Sequence, residues 1–375
     1  MLDRLPLELL REILILAASP PPVEPVRHQQ RIRTLRSCCL VSRRISSIAQ
    51  PLLSDLVYVK EPANLVAMAA QSLKTRSLIV FVHRKKSENS VELVMEALRW
   101  MSSVEELSLH ADIGVVLDLG RVPNFASLRH LTLYGLKAHP ITPCTFPSLE
   151  SLALSHINLE KRALSALLAP TCTPSLRAFA CTMLMDPTLQ EWLLPLVDSS
   201  LSARLDLLQL CEDEACLPAP GLYDRADFLT LYVTPFTYAS FQRLRGTDGL
   251  PPARHFLLSG LTELDSPTMD EFDERDMVTR FLGKLCELCR EADTPLRTLF
   301  LPYSSCHPSR LSLADPAVQP FLVELHAQKQ VDLVYRIGLS ERDDADADER
   351  ICPEAWEYAK RWKTERWEAA AADEA

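Results

Sequence analysis

The chain has 375 residues, and its hydrophobic share of 47% supports a packed globular core and excludes a disordered chain. Its formal net charge of -10, from 50 acidic and 40 basic residues, argues against a protein that binds nucleic acid by neutralising phosphates. Charged side chains interrupt the N-terminal apolar stretch, which predicts neither a membrane span nor a signal peptide. The 11 cysteines lack regular spacing and no Asn-x-Ser/Thr acceptor occurs, which favours a reducing compartment, cytoplasmic or nuclear.

The first element is predicted within LPLELLREILILAAS, residues 5–19. Pro6 and Glu8 suit the first turn of a helix, where proline costs no hydrogen bond and a carboxylate meets the positive end of the helix dipole. The apolar residues recur at helical spacing: Leu5, Leu9, Ile13 and Leu16. One short amphipathic helix is expected here. Residues 19–33 contain three consecutive prolines and are expected to form an exposed loop.

A second helical pattern follows in TLRSCCLVSRRISSIAQPLL, residues 34–53. Its apolar positions are Leu35, Cys38, Val41, Ile45 and Ile48. Pro51 falls where this helix is expected to stop or kink. The first fifty residues thus predict a helical pair or triplet. Such a unit is too small to bury its apolar faces alone, which suggests a partner or a packed neighbour.

Beyond residue 100 a short pattern recurs, with apolar residues at its first, fourth and sixth positions. It is clearest in LRHLTLYGL, LESLALSHI, LRAFACTML and LRTLFLPYS. With four weaker copies, the first positions are Val104, Leu128, Leu149, Leu176, Leu205, Ala226, Ala253 and Leu296. Their separations are 21 to 29 residues, apart from the 43 residues between Ala253 and Leu296. This period is typical of leucine-rich repeats, in which each LxxLxL forms a short strand over a shared core.

Other segments complete the predicted α/β fold. Further strands are expected at 55–59, 77–82 and 331–337, and helices at 91–101, 159–168, 187–196 and 270–289. We predict a small helical module over residues 1–54 and a degenerate leucine-rich-repeat solenoid with parallel strands and return helices over residues 55–340. An acidic linker and a C-terminal helix follow over residues 341–375, where Trp356, Trp362 and Trp367 can cap the open end of the stack.

The first fifty residues resemble the F-box motif, in a form similar to that of fungal F-box proteins. The matching residues are Leu5, Pro6, Glu8, Leu9, Ile13 and Leu14, then Leu40, Val41, Ser42, Arg43, Arg44, Ile48 and Ala49, followed by Gln50 to Leu53. The resemblance covers residues 2 to 59, and an F-box followed by leucine-rich repeats is typical of one class of the family. The loop between the helices is longer than usual, and a leucine replaces the aromatic residue near the end of the motif. The asparagine that usually closes the repeat strand is absent from nearly all of the repeats.

The resemblance implies a substrate-recognition subunit of an SCF-type cullin-RING ubiquitin ligase, which is itself not an enzyme. The F-box would bind a Skp-family adaptor, and the repeats would bind a protein substrate on the concave strand face or on the loops. The residues that would contact the adaptor or support the contact are Leu5, Pro6, Leu9, Ile13, Leu14, Leu40 and Val41. One alternative is a repeat scaffold without a role in ubiquitin transfer, whose helices cap the solenoid. An enzyme is a second alternative.

The sequence predicts no cofactor and no metal site. The pair Cys286 and Cys289 has the spacing of half a zinc site, but no second pair follows at a suitable distance, so we interpret both as core thiols. Cys38 and Cys39 are interpreted in the same way. The common signatures HExxH, GxSxG, GxxxxGK and GxGxxG are absent from the sequence.

Overall fold

A computed structural model describes the residues that form the helices, strands and turns named below. They are 5–18, 25–59, 61–70, 75–82, 90–118, 126–139, 145–155, 157–159, 161–182, 205–212, 228–232, 255–259, 298–302, 319–329, 331–336 and 356–361, with residues 279, 282–283, 286–287, 316 and 351. The protein is a mixed α/β protein, and the strand pairs described are parallel. Contacts divide it into two compact units, residues 1–151 with 156–175, and residues 152–155 with 176–375.

The first unit begins with three helices, which are followed by strands and three further helices. The helices are α1 (Leu7–Ala18), α2 (Pro25–Cys39), α3 (Arg43–Asp55), α4 (Pro62–Ala70), α5 (Ser90–Leu98) and α6 (Lys161–Leu168). The strands are β1 (Leu56–Val59), β2 (Ser77–Val82), β3 (Glu106–Asp118), β4 (His130–His139) and β6 (Asn158–Leu159). Strands β1 to β4 pair in parallel in chain order, and β6 pairs with β4.

The second unit also contains parallel strands. Its strands are most of β5 (Ser151–Ser155), then β7 (Ala178–Thr182), β8 (Leu207–Glu212), β9 (Phe228–Tyr232), β10 (His255–Ser259), β11 (Thr298–Pro302) and β12 (Asp332–Arg336). Strands β7 to β12 pair in parallel in chain order. Helix α7 (Gln319–Lys329) precedes β12, and helix α8 covers residues 356–361.

The leucine pattern places the strands as the sequence predicts. Each of the eight predicted strands begins two residues after the first position of its pattern. In the repeat that begins at Leu128, the first, fourth and sixth residues are buried, as are those of the repeat that begins at Val104. Alternate side chains of a strand point to opposite faces, so the fourth and sixth positions share one buried face. The strands expected at 55–59, 77–82 and 331–337 are present, and so are helices within 91–101 and 159–168.

Two predicted helices fall largely or wholly outside the described residues. The segment 187–196 lies outside them. Within 270–289, the described residues 279, 282–283 and 286–287 are helical.

The expectation of a loop over residues 19–33 was wrong for its second half, because α2 begins at Pro25. Proline is well tolerated in the first turn of a helix, where its missing N–H has no intrahelical partner, and the following Gln and Arg residues are good helix formers. The three consecutive prolines before it lie outside the described residues.

The second predicted helical stripe is divided between two helices. Helix α2 ends at Cys39, and α3 begins at Arg43 with Ser42 as its N-cap. Of the expected stop or kink at Pro51, the stop does not occur, because Pro51 lies inside α3, which ends at Asp55. Burial of Leu52 beside Ile48 and Ala49 keeps this last turn helical despite the lost backbone donor.

The strand starts are joined by a repeated set of hydrogen bonds. The carbonyl of the second residue in one repeat accepts the N–H groups of the second and third residues in the next. In the first unit the acceptors are Arg76, Glu105 and Arg129, with donor–acceptor distances of 2.7 to 3.0 Å, and in the second unit Arg177 accepts from Asp206 and Leu207. Before three of the patterns a serine adds a side-chain bond to an earlier carbonyl: Ser103 to Thr75, Ser127 to Ser102 and Ser175 to Pro147.

Strands β3 and β4 contain an irregularity at Gly135. Their register shifts between His110 and Val115, and Gly135 has a φ of 71°. A Cβ atom at this position would overlap the carbonyl oxygen of Ala111. Glycine is therefore required both by its backbone conformation and by the close approach of the neighbouring strand.

Candidate functional site

The three N-terminal helices have a hydrophobic core of their own. Its buried members are Leu10, Leu14, Leu35, Ile45, Ile48, Ala49 and Leu52. The stripe predicted from helical spacing in α1 is not the one that this core buries, because Leu10 and Leu14 point inward whereas Leu9 is 48% exposed. The helical module therefore retains apolar side chains on its outer surface.

Four of these outer residues are large and well exposed. Leu7 is 52% exposed, Leu9 48%, Leu40 88% and Val41 65%. We refer to these four residues as the exposed apolar residues. Single exposed hydrophobic side chains are common in folded proteins, and several of them on one small module make it a candidate interaction surface.

One hydrogen bond holds the start of α1 against the start of α3, and a second caps α3 itself. Arg44 donates a hydrogen bond from Nη2 to the carbonyl oxygen of Leu5, at 2.6 Å. The Ser42 hydroxyl accepts the N–H of Ile45 at 3.2 Å, which satisfies a free donor in the first turn of α3. Because Leu40 and Val41 form the turn just before Ser42, this arrangement brings them to the same end of the module as Leu5 and Pro6.

The opposite end of α3 is fixed by Arg31. Its Nη2 atom donates to the carbonyl oxygen of Leu52 at 3.1 Å, one of the last carbonyls of the helix. Burial lowers the pKa of this guanidinium, and the carboxylate of Asp55 opposes that shift. Arg31 therefore ties α2 to the C-terminal end of α3.

The structure separates the predicted site residues by exposure. Pro6, Leu9, Leu40 and Val41 are exposed, Leu5 and Ile13 are half-buried, and Leu14 is buried in the module core. Leu14 therefore supports the surface from within and cannot be a direct contact. Sequence reasoning did not select Leu7, which lies outside the i, i+4 spacing, and did not assign the bond from Arg44, which joins residues 39 positions apart.

The sheet of the first unit presents a row of rings on the face opposite its leucine core. Neighbouring ring centroids are separated by 4.8, 4.7 and 5.5 Å along the row Tyr58, Phe81, His110 and Tyr134. His110 is buried between its neighbours, and the other three rings are half-buried. Such a row offers stacking and apolar contact to a bound polypeptide.

An open depression near the strand starts is polar, and several of its side chains already form ion pairs or hydrogen bonds. Glu105 Oε2 lies 2.8 Å from Arg76 Nη2, and Glu150 Oε1 lies 3.7 Å from Arg129 Nε. The hydroxyls of Ser127 and Ser175 donate to backbone carbonyls. This depression therefore offers little chemistry for general acid–base or nucleophilic catalysis.

The cysteines that the structure describes are free thiols. Cys286 is buried, with its Sγ 3.5 Å from the carbonyl oxygen of Phe321, whereas Cys289 lies outside the described residues. Burial raises the pKa of the Cys38 thiol, and the neighbouring Cys39 adds to that shift. Among the described residues, His, Cys, Asp and Glu side chains do not gather in groups that could hold a metal ion.

No protein-family model, curated protein or solved structure matches this chain. In the part of the chain that the structure describes, no helix combines the length and apolar character needed to cross a membrane.

Proposed function

We propose that the protein is a substrate-recognition subunit of an SCF-type cullin-RING ubiquitin ligase. The observation that carries this proposal is the presence of the exposed apolar residues on a helical module that has its own core. A Skp-family adaptor would cover Pro6, Leu9, Leu40 and Val41, with Leu5 and Ile13 at the margin and Leu14 as internal support. Helices that present apolar side chains to a partner are a common mode of protein recognition.

The rest of the chain is proposed to be a degenerate leucine-rich-repeat solenoid that holds a protein substrate. The parallel pairing of strands in chain order supports a solenoid, since each repeat then contacts mainly its neighbours. The row from Tyr58 to Tyr134 is the surface of the first unit best suited to an extended or helical segment of the substrate. The other subunits of the ligase would supply the chemistry, and this chain would raise the local concentration of its target near the conjugating enzyme.

The adaptor contact is tested with a double variant, Leu9→Asp with Leu40→Asp, in the full chain. Both positions are exposed, so the variant is expected to keep its circular dichroism spectrum and melting temperature. Burying two carboxylates in an apolar interface should weaken adaptor binding by about 30-fold or more in calorimetry. Trp100→Asp is the matched control, because Trp100 is 74% exposed but lies outside the module. A folded wild-type chain that does not bind the adaptor would overturn the proposal.

A scaffold without a role in ubiquitin transfer remains the second candidate. It is favoured by the grouping of the module with β1 to β4 in one compact unit, and by the bond from the Arg76 N–H to the Asp55 carbonyl, 3.0 Å long. If the helices only cap the repeats, deleting residues 1–54 should strongly lower the melting temperature of the rest. If they form an adaptor-binding module, that loss should be small.

A further inference from the structure

Among the strands that the structure describes, β12 has a neighbouring strand on one side only. It pairs in parallel with β11, in a register that sets Asp332 beside Thr298 and Arg336 beside Pro302. The backbone N–H and C=O groups along the outer side of such an edge strand can pair with a strand of another chain. Strand β12 is therefore an edge at which the described sheet can be extended.

Helix α8 packs on other strands of the second unit. Trp356 is buried in one cluster with Ala178 of β7 and Leu207 of β8. The Thr298 hydroxyl of β11 donates a hydrogen bond to the Tyr358 hydroxyl at 2.8 Å. The sequence-based expectation placed this helix over the open end of the stack, whereas the contacts described for it lie on strands that precede β12.

The leucine core is only partly covered at β12. Leu299 of β11 is fully buried, as is usual for the fourth position of these repeats. Leu333 of β12 pairs with Leu299 in register and occupies the same position, but it is only half-buried. In a repeat stack each core residue is covered by the repeats on both sides, so a half-covered leucine marks an end of the stack. This end of the core presents apolar surface to a further strand.

The sequence of β12 is complementary to itself when two copies run antiparallel. The strand begins with Asp332, which is exposed, and ends with Arg336, and Val334 lies at its centre. If two copies pair about Val334, Asp332 of each lies opposite Arg336 of the other, and Leu333 lies opposite Tyr335. Alternate residues of a strand lie on opposite faces, so the charged pairs share one face and the apolar pairs share the core face. Both kinds of pair are favourable between neighbouring antiparallel strands.

We propose that β12 is the interface of a homodimer, in which two copies of the chain pair antiparallel about Val334. The two-fold axis passes through this residue perpendicular to the sheet, so the contact is closed and does not propagate into a fibre. The pairing covers Leu333 of each copy with a strand of the other. Since only five residues of each copy pair, the dimer is expected to be reversible and dependent on concentration. The inference goes beyond the proposed function and requires neither adaptor nor substrate.

The test is sedimentation velocity of the full chain over a series of concentrations. Asp332→Arg and Arg336→Asp each set like charges opposite one another, so each variant should dimerise at least about 10-fold more weakly than wild type. An equimolar mixture of the two variants should recover the wild-type affinity, because every cross-strand pair between them has opposite charges. Arg361→Asp is the matched control, since Arg361 is exposed on α8, and it should leave the dimer unchanged.

A wild-type chain that stays monomeric at every concentration would overturn the proposal and would show that the charges of β12 shield this edge from pairing. A mixture that dimerises no better than its components would also overturn it, since another surface would then form the dimer. Hydrogen–deuterium exchange of the wild-type chain requires no variant to fold. The amides of residues 332–336 should exchange more slowly as the concentration rises, and exchange that is independent of concentration contradicts the proposal.

Discussion

Arg44 Nη2 lies 2.6 Å from the carbonyl oxygen of Leu5 and joins the beginnings of two helices. The Leu-Pro start and the Val-Ser-Arg-Arg segment of the sequence are thereby brought together by one charge-assisted hydrogen bond. Ser42 caps α3 in the same region. The relationship gives the two separated sequence segments a common structural role, which is to fix the position of the exposed apolar residues.

Arg44→Ala is expected to loosen the first turn of α1 without unfolding the module. A hydrogen bond from a charged donor contributes about 1.5–3 kcal/mol, so the amide of Leu10, which donates to the Pro6 carbonyl in the first turn, should exchange with deuterium about ten times faster or more. Arg43→Ala is the control, since Arg43 is exposed. Equal exchange in both variants would show that this bond does not hold the α1 start.

Gly135→Ala should destabilise the first unit. The positive φ and the overlap with the Ala111 carbonyl both oppose a side chain, and we expect a loss of about 2 kcal/mol or more in the free energy of unfolding. Gly283 provides the comparison: its φ is not in the left-handed region, and among the described residues the atoms nearest to an added Cβ are those of the Phe321 ring, at 3.3 Å. Urea denaturation of both variants measures the difference, and similar losses would contradict the argument.

The stability of the second unit should fall between pH 9 and pH 12. Burial raises the pKa of the Cys181 thiol from 9.0 to about 12, so in this range the unfolded chain ionises the thiol and the folded chain does not. Below pH 9 the thiol is protonated in both states and has no effect. The slope attributable to Cys181 is about 1.4 kcal/mol per pH unit.

Cys181→Val separates this contribution from other groups that titrate at high pH. Valine has a similar volume and no ionisable group, so the difference between the two stability curves should increase from pH 9 upward. Parallel curves would show that the thiol ionises in the folded state. A thiol reagent should likewise modify Cys181 only after unfolding, because the side chain is buried.

Charges alternate at the second position of successive repeats. The row runs Arg76, Glu105, Arg129 and Glu150 in the first unit, and the hydrogen bond from Arg76 lowers the pKa of the Glu105 carboxyl. Both side chains of the first pair are partly exposed, so the pair itself should contribute less than about 1 kcal/mol. This small gain is present above the unfolded pKa of the carboxyl and is lost as the pH falls.

Exchanging the first pair, Arg76→Glu with Glu105→Arg, should not restore wild-type stability. In an isolated pair the exchange is neutral, but here the guanidinium introduced on the second repeat would face Arg129, whose charge already acts on Glu105. A double-mutant cycle at low and high salt measures this coupling, with the deficit decreasing at high salt. Full recovery at low salt would show that the pairs act independently.

The strands could be predicted because their signal is local. Leucine at the fourth and sixth positions indicates which face of the strand is buried. This pattern lies within the strand itself and does not depend on distant parts of the chain. The break between α2 and α3 could not be predicted from the local apolar pattern. Leu35, Cys38, Val41, Ile45 and Ile48 have the spacing of one helix, and only the capping role of Ser42 divides them.

Helical periodicity also could not predict which apolar residues of α1 are exposed. Leu9 and Leu10 are adjacent and equally apolar, and the choice of Leu10 for the core depends on packing against α2 and α3. The position of α8 is a similar case. Its tryptophan indicated a docked helix, but the third-position residues that receive it, such as Ala178, carry no local signal.

The hydrogen bonds made at the strand starts by the second-position carbonyls and by the serine hydroxyls have one direction. In these bonds the carbonyl belongs to the earlier repeat, as in Arg76 or Thr75, and the N–H or hydroxyl belongs to the later one, as in Glu105 or Ser103. The bond from the Phe146 N–H to the later carbonyl of Cys172 runs the other way. Protein synthesis proceeds from the amino end, so for the bonds of one direction a ribosome releases the acceptor before its donor. Each new repeat can therefore dock on a completed one while the chain is still being made. At these hydrogen bonds between strand starts, the order of translation is also the order of assembly.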